Sequence, residues 1–523
     1  MINLLKTRIR VAVSSCSIDK GAREVLEELK KQALNMSVEA DLKEAGCFGF
    51  CFAEPTVALM KDNHLTIYGK ANEGKSFEDI IEHLSGKKPI SEFILFDSNR
   101  EDSTLVGNRL LSQQSRIAMQ GCGLIASEDI EDYLSNGGFR GLNKALSMDP
   151  SEIINEIKSS GLRGKGGAGF QTGMKWDFAR KATGSEKYVV CNADEGDVGT
   201  YVDRTLLEGL PFRIVESMAI CGYTIGANKG YIYIRTEYPL SIFRMQNAIE
   251  QARRYGYLGK KILGLNFDFE LEVRQGAGSY VCGEETALLE SIEGKRGYPR
   301  IRPPYPANIG LFGKPTNVNN VETLASIPWI IINRYQNYRS IGTELSPGTK
   351  MFSSDKTAKF YGVVEVPFGI TLSRLVNELF GGRGDGDGIK AVLIGGTLGA
   401  IVPASMFETP IGYEELSNIN AVLGSGGLCL IGNNENIAKK LNEIAKFNRE
   451  ESCGKCFPCR IGTKRLEEFS LKMKHGKISK DMIESLKILC DVMAKSSLCG
   501  HGQGAGRPFM NVIDNFHDEI FSG

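Results

Sequence analysis

The chain has 523 residues, and its 63 basic and 63 acidic side chains give a formal net charge of zero. This balance provides no overall attraction to nucleic acid or to an anionic membrane surface, so we expect neither as a partner. The length predicts about three to four domains. We identify no secretory leader pattern and no apolar segment of membrane-spanning length, and therefore expect a cytoplasmic protein without direct membrane insertion. Its thirteen cysteines then favour reduced thiols, several of them metal ligands, over a disulfide framework.

The first 95 residues have the pattern of a small α/β unit. Strands are predicted at residues 9–13, 56–59 and 65–68, and a helix at residues 21–34. The unit carries Cys16 and a Cys-x3-Cys pair formed by Cys47 and Cys51. A polar stretch at residues 96–103 predicts a linker into the next region.

A glycine-rich loop is the main feature of the second region. Five glycines occur within the nine residues 161–169. Such a run exposes backbone N–H groups and removes Cβ atoms, so a phosphate or a flat ring can approach the main chain closely. Phe170, Lys175 and Phe178 follow, and they supply stacking surfaces and a cation. A cofactor-binding loop is the favoured interpretation, and a flexible hinge is the alternative.

Polar residues follow the predicted strands of this second region. Between residues 153 and 329, helical runs alternate with β-rich segments such as residues 188–191 and 230–235, which predicts a parallel sheet. Asn192, Asp194 and Glu195 come directly after the first of these segments, where α/β sheets collect ligand-binding groups. Two further segments carry candidates, namely Gly283, Glu284 and Glu285 in residues 276–288, and Asn319, Asn320 and Thr323 in residues 315–323. An acidic helix cap and an ordinary turn are the alternatives for these two segments.

The third region has mixed β and helical patterns. Residues 359–366 and 391–394 are β-rich, residues 372–380 are helical by period, and a glycine-rich loop lies at residues 381–388. This combination is typical of a β-grasp-like module, which connects or docks other domains.

The last hundred residues are helical and carry a cysteine pattern typical of iron–sulfur proteins. Predicted helices at residues 433–447 and 480–494 flank Cys453, Cys456 and Cys459, and Cys499 follows forty residues after Cys459. A tight Cys-x2-Cys-x2-Cys loop can bind three corners of a [4Fe-4S] cubane, and a remote thiolate binds the fourth. Structural zinc is the alternative, but it favours two separated Cys-x2-Cys pairs.

The remaining thiols lack the spacing of metal ligands, so we interpret them as core residues. They are Cys122, Cys191, Cys221, Cys282, Cys429 and Cys490. His501 lies two residues after Cys499, and we expect a surface histidine there, with cluster contact as the alternative.

Together these motifs resemble a known family. Residues 115–505 are similar to the NADH-binding flavoprotein subunit of respiratory complex I. With its N-terminal unit, the chain resembles more closely the diaphorase (β) subunit of NAD-linked [FeFe]-hydrogenases and of NAD-dependent formate dehydrogenases. The resemblance implies an α/β multidomain fold. Its parts would be a thioredoxin-like domain at residues 1–95, a Rossmann-like FMN- and NADH-binding domain at 96–335, a β-grasp domain at 336–424, and a helical [4Fe-4S] domain at 425–523.

The resemblance also implies the site residues. Its FMN site corresponds to Gly164, Gly166, Lys175, Asn192, Asp194, Gly283, Glu284, Asn319, Asn320 and Thr323. Its NADH contacts correspond to Gly167, Phe170, Lys175, Phe178 and Glu285, with Glu195 close by. Asp197 stands where complex I subunits usually have glutamate, so NADH rather than NADPH remains an expectation.

The N-terminal unit resembles a [2Fe-2S] domain that lacks one ligand. That family places its first cysteine five residues before Cys16, where this chain has Val11. Ser14, Ser15 or a non-protein ligand could substitute, or the cluster could be lost while the fold is kept, and both alternatives stay open.

The function implied is an oxidoreductase subunit that exchanges hydride between NAD(H) and FMN and passes single electrons to the [4Fe-4S] cluster. The expected partners are a small thioredoxin-like [2Fe-2S] subunit, a catalytic hydrogenase or formate dehydrogenase subunit, and a ferredoxin as a further candidate, with electron bifurcation as an open question. The alternatives are a complex I subunit and a non-catalytic scaffold that keeps the fold.

Overall fold

The computed structural model describes residues 7–87, 92–100 and 104–521. The strands of this part of the chain form three sheets, surrounded and connected by helices. The expected mixed α/β, multidomain architecture is confirmed. Across the same residues, every helix is too short or too polar to serve as a membrane span.

The first sheet lies in the N-terminal region and has the strand order β2-β1-β3-β4-β5. Its strands are β1 (Thr7–Ala12), β2 (Ala40–Ala45), β3 (Val57–Lys61), β4 (His64–Tyr68) and β5 (Ile94–Asp97). The accompanying helices are Ser15–Ile18, Ala22–Asn35 and Gly74–Leu84. β1 pairs parallel with β2 and antiparallel with β3. The predicted linker is wrong at residues 96 and 97, because they belong to β5, while residues 101–103 of that linker lie outside the described residues.

The second sheet has four parallel strands in the order β8-β7-β6-β9. They are β6 (Tyr188–Ala193), β7 (Lys229–Ile234), β8 (Glu270–Gln275) and β9 (Thr316–Asn320). The predicted parallel sheet is therefore confirmed. Since all four strands run the same way, their carboxyl ends and the polar residues after them meet at one edge of the sheet.

Helices cover this second sheet. They are Ile130–Ser135, Arg140–Ala145, Pro150–Ser160, Thr172–Lys181, Val202–Gly209, Pro211–Ile225, Pro239–Arg254, Glu285–Ile292 and Val321–Arg339. The helix Val106–Ser112 lies instead against β5 of the first sheet. The helix Pro211–Ile225 is buried on almost every side, as its nearly continuous apolar sequence requires.

The third sheet has the order β11-β10-β14-β12-β13. Its strands are β10 (Thr349–Ser354), β11 (Val363–Pro367), β12 (Ile389–Ile394), β13 (Ala400–Pro403) and β14 (Gly427–Gly432). β14 lies beyond residue 424, where we placed the end of this region, yet it pairs with both β10 and β12. The sheet thus extends past that limit. A π-helical segment at Arg374–Leu379 and a short helix at Tyr413–Asn418 accompany it.

The C-terminal region is helical, as predicted. Its helices are Ile437–Glu450, Phe457–Lys474, Lys480–Ser496, Gly500–Gly504, Arg507–Asn515 and His517–Phe521. The first begins at Ile437, later than the predicted residue 433, because Asn436 caps it by accepting a hydrogen bond from the Lys439 N–H at 2.8 Å.

A buried arginine joins the N-terminal sheet to the second region. Arg244 is fully buried, and its guanidinium donates to the carbonyl oxygens of Val13 and Glu208, each at 2.8 Å. It also pairs with Glu44 at 2.8 Å. These charge-assisted contacts hold the N-terminal cysteines against the helix Val202–Gly209.

Candidate cofactor site

The glycine-rich loop connects the helices Pro150–Ser160 and Thr172–Lys181. It closes on itself through a hydrogen bond from the Gly164 N–H to the Phe170 carbonyl oxygen at 2.8 Å. Gly167 and Gly169 have φ angles of +115° and +65°, a region that other residues rarely adopt. The sequence therefore needs glycine at these positions to form a compact loop with accessible backbone.

The end of β9 lies against this loop. A Cβ atom added to Gly166 would lie 3.1 Å from the Asn320 Cβ, so the two segments are in close contact. The Lys165 N–H donates to the Thr323 hydroxyl at 2.8 Å, and the Asn320 side-chain amide donates to Asp203 at 2.7 Å. The structure thus brings together the predicted FMN residues Gly166, Asn320 and Thr323.

Asn319 has a mainly structural environment. It is buried, its side-chain oxygen accepts from the Trp176 indole N–H at 3.2 Å, and its amide donates to Asn317 at 2.8 Å. These bonds fix the helix Thr172–Lys181 against β9. A direct contact of the Asn319 side chain with a flavin remains a prediction.

The end of β6 meets the loop that precedes the helix Glu285–Ile292. The Asn192 amide donates to the Gly283 carbonyl oxygen at 2.8 Å, and a Cβ atom on Gly283 would lie 3.3 Å from the Asp194 carbonyl oxygen. Burial raises the pKa of Asp194 to about 7, although Arg235 opposes the shift. Asp194 can therefore donate or accept a hydrogen bond near neutral pH.

Glu284 and Glu285 play different roles. Glu284 is the N-cap of its helix and accepts from the N–H groups of Thr286 and Ala287, both at 2.9 Å. The acidic-cap alternative therefore describes Glu284 in this structure.

Glu285 instead forms an ion cluster, bonding Lys175 at 2.8 Å and Arg302 at 3.2 Å. Burial alone would raise the pKa of Glu285, but Lys175 and then Arg302 hold it below its ordinary value. Sequence reasoning missed the role of Arg302, since nothing in the sequence showed which acid it would meet.

An open aromatic surface lies next to this ion cluster. Phe170 and Phe178 are 50% and 48% exposed, although aromatic side chains of this size are usually buried. Both flank the half-buried Lys175 along the start of the helix Thr172–Lys181. The surface can stack a flat ring while the cations offset phosphate charge, as predicted for a nucleotide.

Glu195 does not join this open surface. Its side chain is buried and accepts hydrogen bonds from the N–H groups of Asp203 and Arg204 at 2.9 and 3.2 Å, and from the Tyr238 hydroxyl at 3.2 Å. It therefore stabilises the start of the helix Val202–Gly209. Asp197, two residues later, accepts from the hydroxyls of Tyr280 at 2.7 Å and Ser425 at 2.5 Å.

The four C-terminal cysteines line one cavity. Cys453, Cys456, Cys459 and Cys499 surround it, and its other walls are Val281, Pro299, Lys455, Leu498 and His501. Cys456 and Cys499 are the N-cap residues of the helices Phe457–Lys474 and Gly500–Gly504. Burial raises the pKa of Cys459 to about 12 and that of Cys499 to about 11, so these thiols need a bound metal to become thiolates at neutral pH.

The four thiols surround one shared space. Among the residues that the structure describes, no group of three or more histidine, cysteine or acidic side chains is arranged to hold a metal ion. The cluster interpretation therefore rests on the cysteine spacing in the sequence and on the shared cavity. A cubane requires such an arrangement, since each thiolate binds a different iron.

His501 corrects one of our predictions. We expected a surface histidine, but its side chain is only 8% exposed and lines the four-thiol cavity. Its Nε2 lies 2.8 Å from the Asn448 carbonyl oxygen, so Nε2 carries the proton, and Nδ1 has no hydrogen-bond partner among the described residues. The helix Gly500–Gly504 turns the ring inward, and burial lowers the pKa of His501.

The N-terminal thiols also lie close together. The sulfur atoms of Cys47 and Cys51 are 4.0 Å apart, and the Ser14 hydroxyl lies 3.1 Å from Cys16. A hydrogen bond from Cys51 lowers the pKa of Cys16 to about 6, so all three thiols are neighbours.

Two other groups bear on the missing ligand. The Cys47 thiol donates to Glu54 at 2.6 Å, a buried carboxyl that sequence reasoning missed. The Ser15 hydroxyl already donates a hydrogen bond to the Glu208 carboxylate, with an O···O distance of 2.5 Å. The candidate donors beside the three thiols are therefore Ser14 and Glu54, while Val11 is fully buried in the apolar core.

The remaining cysteines lie where core thiols are expected. Cys122, Cys191, Cys221, Cys282 and Cys490 are buried, and Cys429 is half-buried on β14.

Comparisons with known proteins match the two regions that contain these residues. Residues 157–329 match the family model described as "Nuo51 FMN-binding domain", which contains the glycine-rich loop and the ends of β6 and β9. Residues 439–522 match "NADH-ubiquinone oxidoreductase-F iron-sulfur binding region", which contains all four cavity cysteines. The iron–sulfur interpretation is thus confirmed over zinc.

Two relatives cover most of the chain. The chain is 46% identical over 407 residues to the NADP-reducing hydrogenase subunit HndC of Solidesulfovibrio fructosivorans, covering 78% of this chain and 83% of that protein. It is 41% identical over 404 residues to the F 2 subunit of the NADH-quinone oxidoreductase of Rhizobium meliloti, covering 76% and 96%.

A solved structure shares the fold of nearly the whole chain. It is the crystal structure of an NAD+-reducing [NiFe]-hydrogenase in the H2-reduced state, with a TM-score of 0.68 and 27% identity. The match covers 99% of this chain and 84% of the other. The predicted family and the predicted FMN, NAD(H) and [4Fe-4S] cofactors are confirmed. The chain belongs to the family of NADH-quinone oxidoreductase F subunits and related hydrogenase subunits, which are NAD(H)-dependent flavin and [4Fe-4S] oxidoreductases.

Proposed function

We propose that this chain is the diaphorase subunit of a multisubunit hydrogenase or formate dehydrogenase. FMN supplies the conversion between two-electron hydride chemistry and the one-electron chemistry of an iron–sulfur cluster. The protein must hold the nucleotide against the flavin and keep the cluster close to both.

One observation supports this proposal most directly, namely that one short segment contributes both to the proposed flavin site and to the wall of the four-thiol cavity. Within a single short loop, Val281 lines the thiol cavity, while Gly283 packs against the end of β6 beside Asp194. Tyr280 adds a second link, because its hydroxyl bonds Asp197 and its N–H donates to Glu451 at 3.3 Å, close to the first cluster cysteine. This loop would therefore set the distance between the two bound cofactors, and that distance controls the rate of electron transfer.

We expect some residues of the proposed site to bind the cofactors and others to orient them. The backbone of the glycine-rich loop, with Asn192, Asp194 and Asn320, would hold the flavin. Phe170 and Phe178 would stack the nucleotide. Lys175 and Arg302 would offset its phosphates, and Glu285 keeps both cations in place through its ion pairs. No acid–base step by a protein side chain is required, since the exchanged species is a hydride.

The finer division of the fold is part of the same proposal. We assign residues 1–95 to a thioredoxin-like domain, 96–335 to a Rossmann-like domain, the region of the third sheet to a β-grasp domain, and the C-terminal helices to the cluster domain. The parallel second sheet and the antiparallel β3–β5 ribbon support these assignments.

A second proposal concerns the N-terminal thiols, which we assign to a [2Fe-2S] cluster. The close grouping of Cys16, Cys47 and Cys51 supports it, and Ser14 and Glu54 are the available fourth donors.

The partners follow from the named relatives, which include subunits of hydrogenases and of NADH-quinone oxidoreductases. We propose a catalytic hydrogenase or formate dehydrogenase subunit and a small thioredoxin-like [2Fe-2S] subunit as partners. Ferredoxin and electron bifurcation are further hypotheses, and a complex I subunit is the competing assignment.

Anaerobic titration of the purified chain with NADH, and separately with NADPH, tests the proposal. Flavin absorbance and low-temperature electron paramagnetic resonance would be followed together. We expect NADH to bleach the flavin and to produce a [4Fe-4S] signal. A fully loaded protein that shows neither change would contradict the proposal and favour a structural role.

A further inference from the structure

The glycine-rich loop is held from outside by the third region of the chain. The guanidinium carbon of Arg163, within the loop, lies 3.9 Å from the ring centroid of Tyr413. The same guanidinium pairs with Glu414 at 2.5 Å. Its Nε donates to the carbonyl oxygen of Gly169 at 2.7 Å. One side chain therefore connects the far end of the loop to the helix Tyr413–Asn418.

Tyr413 contacts the loop backbone directly. Its hydroxyl donates to the carbonyl oxygen of Gly164 at 3.1 Å. A Cβ atom on Gly169 would lie 2.7 Å from the Tyr413 ring, so the ring rests on the main chain itself. Burial raises the pKa of Tyr413, so the phenol stays protonated and remains a donor.

Tyr413 is itself anchored to its own region. Its N–H donates to the Ser346 hydroxyl at 3.1 Å, and Ser346 in turn donates to Glu414 at 3.4 Å. A second contact supports the loop from the same side, because a Cβ atom on Gly167 would lie 3.6 Å from the backbone of Gly424. The third region thus touches the loop at two separate points.

We propose that Arg163 and Tyr413 form a clasp that holds the glycine-rich loop in its flavin-binding shape. The third sheet region then sets FMN affinity through the loop, rather than serving only as a connecting module. Both side chains are positioning residues. This inference rests on the proposed function, in which the glycine-rich loop binds FMN.

Flavin binding to the purified, deflavinated full chain tests the clasp. The variants are Tyr413→Leu, Tyr413→Phe and Arg163→Lys, with Tyr255→Leu as a matched control on a half-exposed tyrosine that bonds Glu131 instead. FMN affinity is measured by quenching of flavin fluorescence. Cluster absorbance and melting temperature are recorded for each variant.

We expect Tyr413→Leu to weaken FMN binding about tenfold, because it removes both the ring contact and the hydroxyl bond. Tyr413→Phe keeps the ring and should lose about two- to fivefold. Arg163→Lys should lose about fivefold, since an ammonium lacks the planar stacking face. The double variant Arg163→Lys, Tyr413→Leu should bind about as Tyr413→Leu does, because both act through one contact. NADH oxidation by Tyr413→Leu should recover in excess FMN.

Unchanged FMN affinity in Tyr413→Leu would overturn the clasp. A second result would also overturn it. If Tyr413→Leu lost activity and cluster absorbance together, and excess FMN did not restore the activity, Tyr413 would be a general folding residue. A parent chain that binds no FMN would overturn the proposed function instead, so the two failures are distinguishable.

Discussion

The two cysteine groups of this chain hold their thiols in different ways. In the C-terminal group, four thiols from two distant segments line one cavity, and no hydrogen bond joins these four thiols to one another within the described residues. In the N-terminal group, Cys47 lies 4.0 Å from Cys51 and donates its proton to Glu54. The first group is a prepared cavity, whereas the second is a contact network of three thiols and a carboxyl.

This difference shows what a cluster site requires beyond cysteine spacing. In the C-terminal group, Cys456 and Cys499 are the N-cap residues of two separate helices, and both line the shared cavity. In the N-terminal group, Cys16 lies in the short helix after β1, while Cys47 and Cys51 follow β2. Val11 fills the core there instead of supplying a ligand. Substitutions in each group can distinguish a thiol that binds a cluster from a thiol that only packs in the core.

The largest effect is expected for Cys456→Ala. It removes one of four cluster ligands, so the [4Fe-4S] signal and electron passage to partner subunits should be lost. NADH should still bleach the flavin, because the residues that we propose to bind FMN lie at the edge of the second sheet and in the glycine-rich loop, away from Cys456. Iron content, paramagnetic resonance and flavin bleaching measure these outcomes.

Cys429→Ala is the matched control, since Cys429 is a half-buried thiol outside the cavity. It should keep its iron and its electron transfer. Intact transfer to partner subunits in Cys456→Ala would contradict the cluster assignment.

The second largest effect is expected for Cys51→Ala, in the N-terminal thiol group. Cys51→Ala should remove a [2Fe-2S] signal and leave both the [4Fe-4S] signal and the flavin reaction unchanged, because Cys51 belongs neither to the four-thiol cavity nor to the glycine-rich loop. Low-temperature resonance of the NADH-reduced protein measures it. Cys122→Ala, a buried thiol packed against Gly209, is the control. A parent chain that shows no [2Fe-2S] signal would mean that this unit keeps its fold without a cluster.

The grouping of the four C-terminal cysteines around one cavity could be predicted from the sequence, but their surroundings could not. The Cys-x2-Cys-x2-Cys run with Cys499 predicted a cluster in this region because ligand spacing is a local property of the chain. The burial of His501 depends on the direction of a five-residue helix relative to Asn448, fifty-three positions earlier. No periodic pattern in so short a segment reports that direction.

The fold shows the same limit. β6 and β7 were visible as runs of β-branched and aromatic residues, and their alternation with helices predicted the parallel sheet. The pairing of β14 with β10 joins residues more than seventy positions apart. Because such a long-range pairing leaves no local pattern, the sequence of β14 gave no sign that the third sheet would extend past residue 424. The clasp between Arg163 and Tyr413 depends on that long-range packing and was equally invisible.

A smaller effect is expected for His501→Ala, which tests how the cavity tunes its cluster. Removing a buried ring lets water approach the thiolates, and water stabilises the more negative reduced cluster. The midpoint potential should therefore rise by roughly tens of millivolts while iron content stays constant. A redox titration followed by paramagnetic resonance measures it. The control is His475→Ala, at an exposed helix end, which should leave the midpoint potential of the cluster unchanged. An equal shift of the midpoint potential in both variants would contradict a specific role for His501.

The smallest effect is expected for Cys490→Ala, which shows what a thiol does when it only packs. Cys490 is buried on the helix Lys480–Ser496, and a Cβ atom on Gly506 would lie 2.9 Å from its side chain. Replacing it should cost about 1 kcal/mol of stability through the small cavity left behind, with no loss of iron. Thermal unfolding and iron analysis of the same sample measure both quantities. Iron loss in this variant would mean that the shape of the four-thiol cavity depends on the packing of the helix Lys480–Ser496. Ligand thiols and core thiols could then not be separated in the cluster domain. A small stability loss at full iron content would instead show that Cys490 only packs in the core, and that the cavity keeps its iron without it.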